Sequence, residues 1–118
     1  MEKLDAKTVA WIFYAVDMAA SSAGAPRTDI LHAADAINHA VPLDKELNGS
    51  LVLLVDAGLV VQTGKFFSLT KTGQAAISSA RSSGNTVFAV WDTLTRQLTD
   101  MGLGSNNSFK PKPLRGSA

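Results

Sequence analysis

One segment of this 118-residue chain has the residue pattern of paired β-strands, and sequence with helical periodicity flanks it on both sides. Leu59 to Gln62 and Phe66 to Leu69 are rich in β-branched and aromatic residues, and Thr63-Gly64-Lys65 between them is a tight-turn sequence. Gly58 directly before the first run permits the positive φ with which many helices end. The sequence therefore predicts a mainly α-helical fold, of the α+β class, with one small β-hairpin.

Three helices are predicted before the hairpin, at 5–22, 27–39 and 44–57, and two after it, at 71–82 and 86–101. The first carries apolar residues around most of its circumference, which is typical of a helix covered on two sides. The second and third each have a single apolar face. The pattern is that of a small helical domain whose first helix lies in the core.

The chain is predicted to form one domain, residues 1–103, followed by a disordered basic tail, residues 104–118. Its longest apolar run, Val9 to Val16, has eight residues, whereas about 20 are needed to cross a bilayer. The chain has no cysteine, which excludes disulfides and thiolate metal sites. We therefore expect a cytoplasmic protein with no membrane partner.

Two segments adjoin the hairpin turn: LVLLVDAGLV (51–60) leads from the third helix into the first strand, and FFSLTKTGQAAI (66–77) contains the second strand and the sequence Leu69-Thr70-Lys71-Thr72-Gly73. Together they resemble bacterial winged-helix regulators such as the MarR and PadR groups. The resemblance covers roughly residues 27–80. It implies a winged helix-turn-helix fold, here with added N- and C-terminal helices, whose third helix lies in the DNA major groove and whose hairpin lies near the phosphates.

This resemblance and the charge distribution indicate a DNA-binding transcriptional regulator. Residues 1–63 carry four cations against eight acids, a net charge of −4, whereas Gly64 to Trp91 contains three cations and no acid. We therefore expect contacts with double-stranded DNA mainly through the wing and the fourth helix. The candidate DNA-contacting residues are Lys45, Asn48, Ser50, Lys65, Lys71 and Arg81.

The third helix favours a second interpretation. If Leu47, Leu51 and Leu54 form its buried stripe, its outward positions include Val52 and Leu53. Helices that read base edges usually present Arg, Lys, Asn or Gln there. The alternative function is a winged-helix protein-interaction module that docks a protein partner through Val52 and Leu53 and does not bind DNA. The sequence leaves both functions open.

The terminal helices predict a homodimer. The last helix has apolar residues spaced four, three, four and three apart, and the first has a second apolar stripe beside its main one. These faces could also pack on each other within one chain, but two apolar faces at opposite ends of a small domain favour dimerisation. The candidate interface residues are Trp11, Tyr14, Met18, Val87, Trp91, Leu94, Leu98 and Met101.

No metal site, cofactor or enzymatic activity is predicted. His32, Asp35 and His39 recur at i, i+3 and i+7 on one helix face, a spacing that could place metal ligands together. A solvated polar stripe is the favoured interpretation, because no fourth ligand is evident. No nucleophile and base stand at a spacing that is typical of a catalytic pair.

Overall fold

The computed structural model describes residues 4–104. Within them the elements are α1 Ala6–Ala19, β1 Ala25–Pro26, α2 Arg27–Asn38, α3 Asp44–Asp56, β2 Val60–Thr63, β3 Phe66–Leu69, α4 Lys71–Ser83 and α5 Val87–Asp100. The mainly α-helical class with a small β-hairpin is confirmed, and each helix begins and ends within three residues of its predicted bounds. The predicted disordered tail, apart from Gly104, lies outside the described residues.

The first helix, α1, is the centre of the core. Every residue from Val9 to Val16 is buried, and α1 packs against α2, α3 and α5. Its first turn is capped by Asp5, whose Oδ1 accepts a hydrogen bond from the Thr8 amide at 2.8 Å. The predicted covering on more than one side is confirmed. No helix within residues 4–104 is both long enough and apolar enough to span a membrane.

The sheet has three antiparallel strands in the order β1-β3-β2. The hairpin β2–β3 closes through a two-residue turn, with Gly64 in its first position at φ +63°. The third strand, β1, was not predicted: Ala25 and Pro26 pair with Phe67 and Phe66. A dipeptide that contains proline has no strand pattern of its own, so only its position beside β3 makes it a strand.

The junction between α3 and β2 depends on Gly58. Its φ is +79°, its amide donates to the Val55 carbonyl at 3.1 Å, and the Leu59 amide donates to the Leu54 carbonyl at 3.0 Å. This is the Schellman pattern of a glycine-terminated helix. The predicted left-handed C-cap is confirmed, and it turns the chain directly from α3 into the hairpin.

Thr70 joins the base of the hairpin to α4. Its Oγ1 donates to the Gly58 carbonyl at 2.6 Å and accepts from the Gly73 amide at 3.0 Å, and its own amide donates to the Leu59 carbonyl at 3.1 Å. One side chain thus caps α4 and holds it against the end of α3. This packing uses the threonine at position 70 and a close approach at Gly73, which explains the Thr70-x-x-Gly73 spacing in the sequence.

The terminal helices α1 and α5 pack on each other within one chain. The Trp91 Nε1 donates to the Lys7 carbonyl at 2.9 Å, and the Trp11 and Trp91 ring centroids are 6.2 Å apart. The a/d seam correctly indicated a helix face that needs a partner, but spacing does not say to which chain the partner belongs. Five predicted dimer-interface residues are buried within the protomer and are not available to a second copy: Trp11, Tyr14, Trp91, Leu94 and Leu98. The other three are exposed: Met18, Val87 and Met101.

Candidate binding site between α3 and the hairpin

The exposed face of α3 carries one predicted DNA-contacting cation, Lys45, together with Asn48, Val52, Val55 and Asp56. Val52 is 67% exposed, more than any other large apolar side chain within residues 4–104. The face is therefore mixed, with apolar side chains at its centre and polar groups towards both ends of the helix.

Ser50 does not lie on this face, and the prediction that it points outward to DNA is wrong. It is fully buried, and its Oγ has no hydrogen-bond partner among residues 4–104. At about 100° per residue, Ser50 lies only about 60° around the helix from Leu47, so it flanks the buried leucine stripe. Leu53 is also partly buried against the core, which leaves Val52 as the exposed member of the predicted apolar pair.

The predicted DNA-contacting cations from residue 65 onward lie on two elements, the hairpin turn and α4. Lys65 lies in the turn and Lys71 begins α4, so the four residues of β3, about 13 Å of strand, separate them. Arg81 lies ten residues further on, about 15 Å along α4. The Arg81 guanidinium forms an ion pair with Asp17 of α1 and lies 5.8 Å from the Tyr14 ring.

Arg81 is therefore paired with an acid from the first half of the chain, so its charge is not uncompensated as the sequence indicated, and its contact with phosphate stays a prediction. Counting charges along the sequence missed this pair because its members are 64 residues apart. Lys65 and Lys71 are both exposed, Lys65 in the hairpin turn and Lys71 at the start of α4.

Arg27, which the sequence analysis did not select, is held beside α3. Its Nε donates to Asn48 Oδ1 at 2.7 Å, and its Cζ lies 5.0 Å from the centre of the Phe67 ring. The bond occupies the amide oxygen of Asn48, one of the atoms with which that residue was expected to read a base. Nothing in the local sequence distinguishes Arg27, because its partners come from α3 and β3.

A groove of about 340 Å³ lies between the exposed face of α3 and the hairpin. Gln62 and Phe67 are register partners and therefore share the face of the sheet that borders the groove. Its lining residues are Arg27, Leu51, Val52, Val55, Asp56, Gln62 and Phe67. The lining combines apolar side chains with a few polar groups, as ligand-binding clefts do.

The polar stripe on α2 shows no clustered ligands. His32, Asp35 and His39 are all exposed, as the solvated interpretation predicted. Within the part of the chain that the structure describes, no three side chains of His, Asp or Glu come together in a metal-binding arrangement. Within the described residues, the groove beside α3 is the candidate binding site.

No protein-family model, curated protein or solved structure matches this chain.

Proposed function

We propose that this chain is a winged-helix protein-interaction domain that binds an apolar segment of a partner protein in the groove between α3 and the hairpin. The order α1-β1-α2-α3-β2-β3 supports the fold assignment, because a winged helix has two consecutive helices followed directly by a hairpin, and α2, α3 and β2–β3 follow one another in that order. The helix α5 is then an addition at the C-terminal side, beyond the segment of roughly residues 27–80 that resembles the family.

The observation that carries this proposal is the exposure of two apolar side chains, Val52 and Val55, in the lining of the groove. Single exposed valines are ordinary, but here Val52 adjoins Leu51, Val55 and Phe67 in one groove. Interfaces between proteins have an apolar centre and a polar rim. The lining of this groove likewise combines exposed apolar side chains, Val52 and Val55, with polar ones, Arg27, Asp56 and Gln62.

DNA binding is the second candidate, and the positions of three cations favour it. Arg27, Lys45 and Lys65 are exposed on the elements that a winged helix presents to DNA. The acids of α3 oppose it: Asp44 and Asp56 are exposed at the two ends of the same helix and would repel phosphates. The docking of a protein segment therefore agrees better with the surface.

The first experiment selects ligands from a displayed random-peptide library on immobilised protein. The wild type and Val52→Ser are compared, and Val41→Ser is the matched control because Val41 is 60% exposed in the α2–α3 connection, outside the groove. Both substitutions are neutral, so neither changes the charge near DNA. We expect peptides selected on the wild type to bind Val41→Ser equally and Val52→Ser at least about fivefold more weakly, because apolar burial is lost.

Salt dependence separates the two candidates. Three phosphate contacts would make duplex-DNA affinity fall about fortyfold between 50 and 200 mM salt, whereas apolar docking changes little. The proposal is supported if peptide affinity changes little with salt concentration and is weakened by Val52→Ser. DNA is the ligand instead if the affinity for duplex DNA falls steeply with salt concentration and is weakened by Lys45→Ala or Lys65→Ala. Val52→Ser should then leave that affinity unchanged.

A further inference from the structure

We infer that Arg27 binds a carboxylate of the partner, so that the groove accepts an extended peptide with an acidic residue, apolar residues after it and a basic residue four positions later. This inference rests on the proposed function and specifies the chemistry of its ligand. It follows from how Arg27 is held, from where Asp56 lies, and from the exposed apolar side chains between them.

Arg27 is prepared to bind an anion. Its Nε donates to Asn48 and its Cζ lies 5.0 Å from the centre of the Phe67 ring, so the position of the group is restrained. It forms no salt bridge with an acid in residues 4–104, and within those residues its terminal nitrogens donate no hydrogen bond. The planar donor fork of arginine matches a carboxylate with two parallel bonds. Restraint before binding reduces the entropy lost when the ligand arrives.

Asp56 has the opposite charge at the other end of the groove. It is exposed, lines the groove, and forms no ion pair within residues 4–104. Asn48, the partner of Arg27, and Asp56 are eight residues apart on α3, which corresponds to about 12 Å along the helix. An extended peptide covers this distance in about four residues.

The exposed lining between these charges is mixed. Val52 and Val55 are its exposed apolar side chains, on the α3 side, and Gln62 is exposed on the sheet side, whereas Phe67 is 1% exposed. In an extended peptide alternate side chains point to the same side, so a peptide with its carboxylate at Arg27 and its cation at Asp56 directs the apolar side chain midway between them towards Val52 and Val55. A nucleic-acid backbone carries negative charge along its whole length and would meet Asp56 unfavourably, so the charges favour a peptide.

The test uses acetyl-Asp-Leu-Val-Leu-Lys-amide and the same peptide with Asn in place of Asp. Both are titrated into the ¹⁵N-labelled full chain, wild type and Arg27→Gln, while amide and arginine Nε–H resonances are followed. For the wild type we expect the Asp peptide to bind roughly three- to tenfold more tightly than the Asn peptide, with the Arg27 Nε–H resonance shifting. For Arg27→Gln this ratio should fall to about one, because the double-mutant cycle removes both partners.

A second variant distinguishes the loss of the Arg27 interaction from a general loss of structure. Asn48→Ala keeps the Arg27 charge but releases its Nε, so the preference for the Asp peptide should fall to an intermediate value. Unchanged amide resonances in α1 and α5 show that each variant is folded. An equal Asp preference in the wild type and in Arg27→Gln would overturn the inference.

The outcomes separate this inference from the proposed function. If the Asp and Asn peptides bind the wild-type groove equally, Arg27 has no carboxylate role although groove docking stands. If neither peptide shifts Val52 or Val55, the inferred ligand is wrong, and the library selection with Val52→Ser independently decides the proposed function. If duplex DNA shifts these resonances and displaces the peptide, nucleic acid is the occupant and both are overturned.

Discussion

At the scale of a single residue, Ser50 shows how α3 combines an apolar core with a polar group that the core does not satisfy. Its side chain is fully buried, and no hydrogen-bond partner for Oγ lies within residues 4–104. A buried hydroxyl without a partner loses its hydration and gains nothing in exchange. Its position therefore costs the folded state free energy.

Replacing Ser50 with alanine should stabilise the protein. We expect Ser50→Ala to raise the free energy of unfolding by about 1–2 kcal/mol, since it removes an unsatisfied hydroxyl and improves helix propensity. Ser78→Ala is the matched control, because Ser78 is exposed in the middle of α4 and reports helix propensity alone. Urea denaturation measures both; a lower unfolding free energy for Ser50→Ala would mean that the hydroxyl has a partner after all.

Local sequence explains why the sequence analysis selected Lys65 as a candidate site residue and did not select Arg27. Lys65 stands in a turn whose sequence already places it at a surface. The significance of Arg27 comes from Asn48, 21 residues away, and from Phe67 in another element. A side chain acquires a role in a site through its neighbours, and local sequence does not contain them.

At the scale of elements, the approach of α4 to the end of α3 and the hairpin is governed by Gly73. A Cβ at this position would lie 2.1 Å from the Leu59 carbonyl oxygen, which is backbone and cannot turn aside as a side chain can. Glycine inside a helix usually costs about 1 kcal/mol relative to alanine. Here close packing is possible only because glycine is present.

This contact reverses the usual effect of replacing a helical glycine. Gly73→Ala should lower the free energy of unfolding by about 2–3 kcal/mol, because overpacking exceeds the gain in helix propensity. The control is the opposite change, Ala75→Gly, at an exposed position of the same helix, which should cost about 1 kcal/mol. Thermal or urea unfolding compares them, and stabilisation by Gly73→Ala would contradict the packing of α4 on Leu59.

At the scale of the whole molecule, the chain covers its apolar faces with its own helices. The Trp11 and Trp91 rings meet each other, and each indole nitrogen has a backbone acceptor within the chain, Ala34 for Trp11 and Lys7 for Trp91. The argument for a homodimer depended on these faces needing a partner from outside. That need is met inside the protomer.

We therefore expect a monomer. Light scattering at micromolar concentration should give a mass near 12.4 kDa. A mass twice as large would restore the predicted homodimer, and its interface would then have to use exposed apolar residues. The described residues of that kind on α1 and α5 and just after α5 are Met18, Val87, Phe88 and Met101. In that case Phe88→Glu, at a residue that is 62% exposed, should reduce the mass to that of one chain.

Helices, hairpin and their boundaries followed from the sequence because their causes are local. Periodic apolar residues define a helix face within a few turns, and Gly58 and Gly64 terminate or turn the chain through their own φ angles. These properties depend on neighbours only a few residues away. The fold class could therefore be predicted before any contact was known.

Tertiary structure settled how those elements are used. It made Ala25–Pro26 a strand, buried Ser50, paired Arg81 with Asp17, and placed Arg27 beside Asn48 and Phe67. Most of these outcomes join residues that are 21 or more positions apart, and periodicity carries no information at that separation. The candidate binding groove belongs to this second group, because α3, the hairpin and the start of α2 form it only when they are packed together.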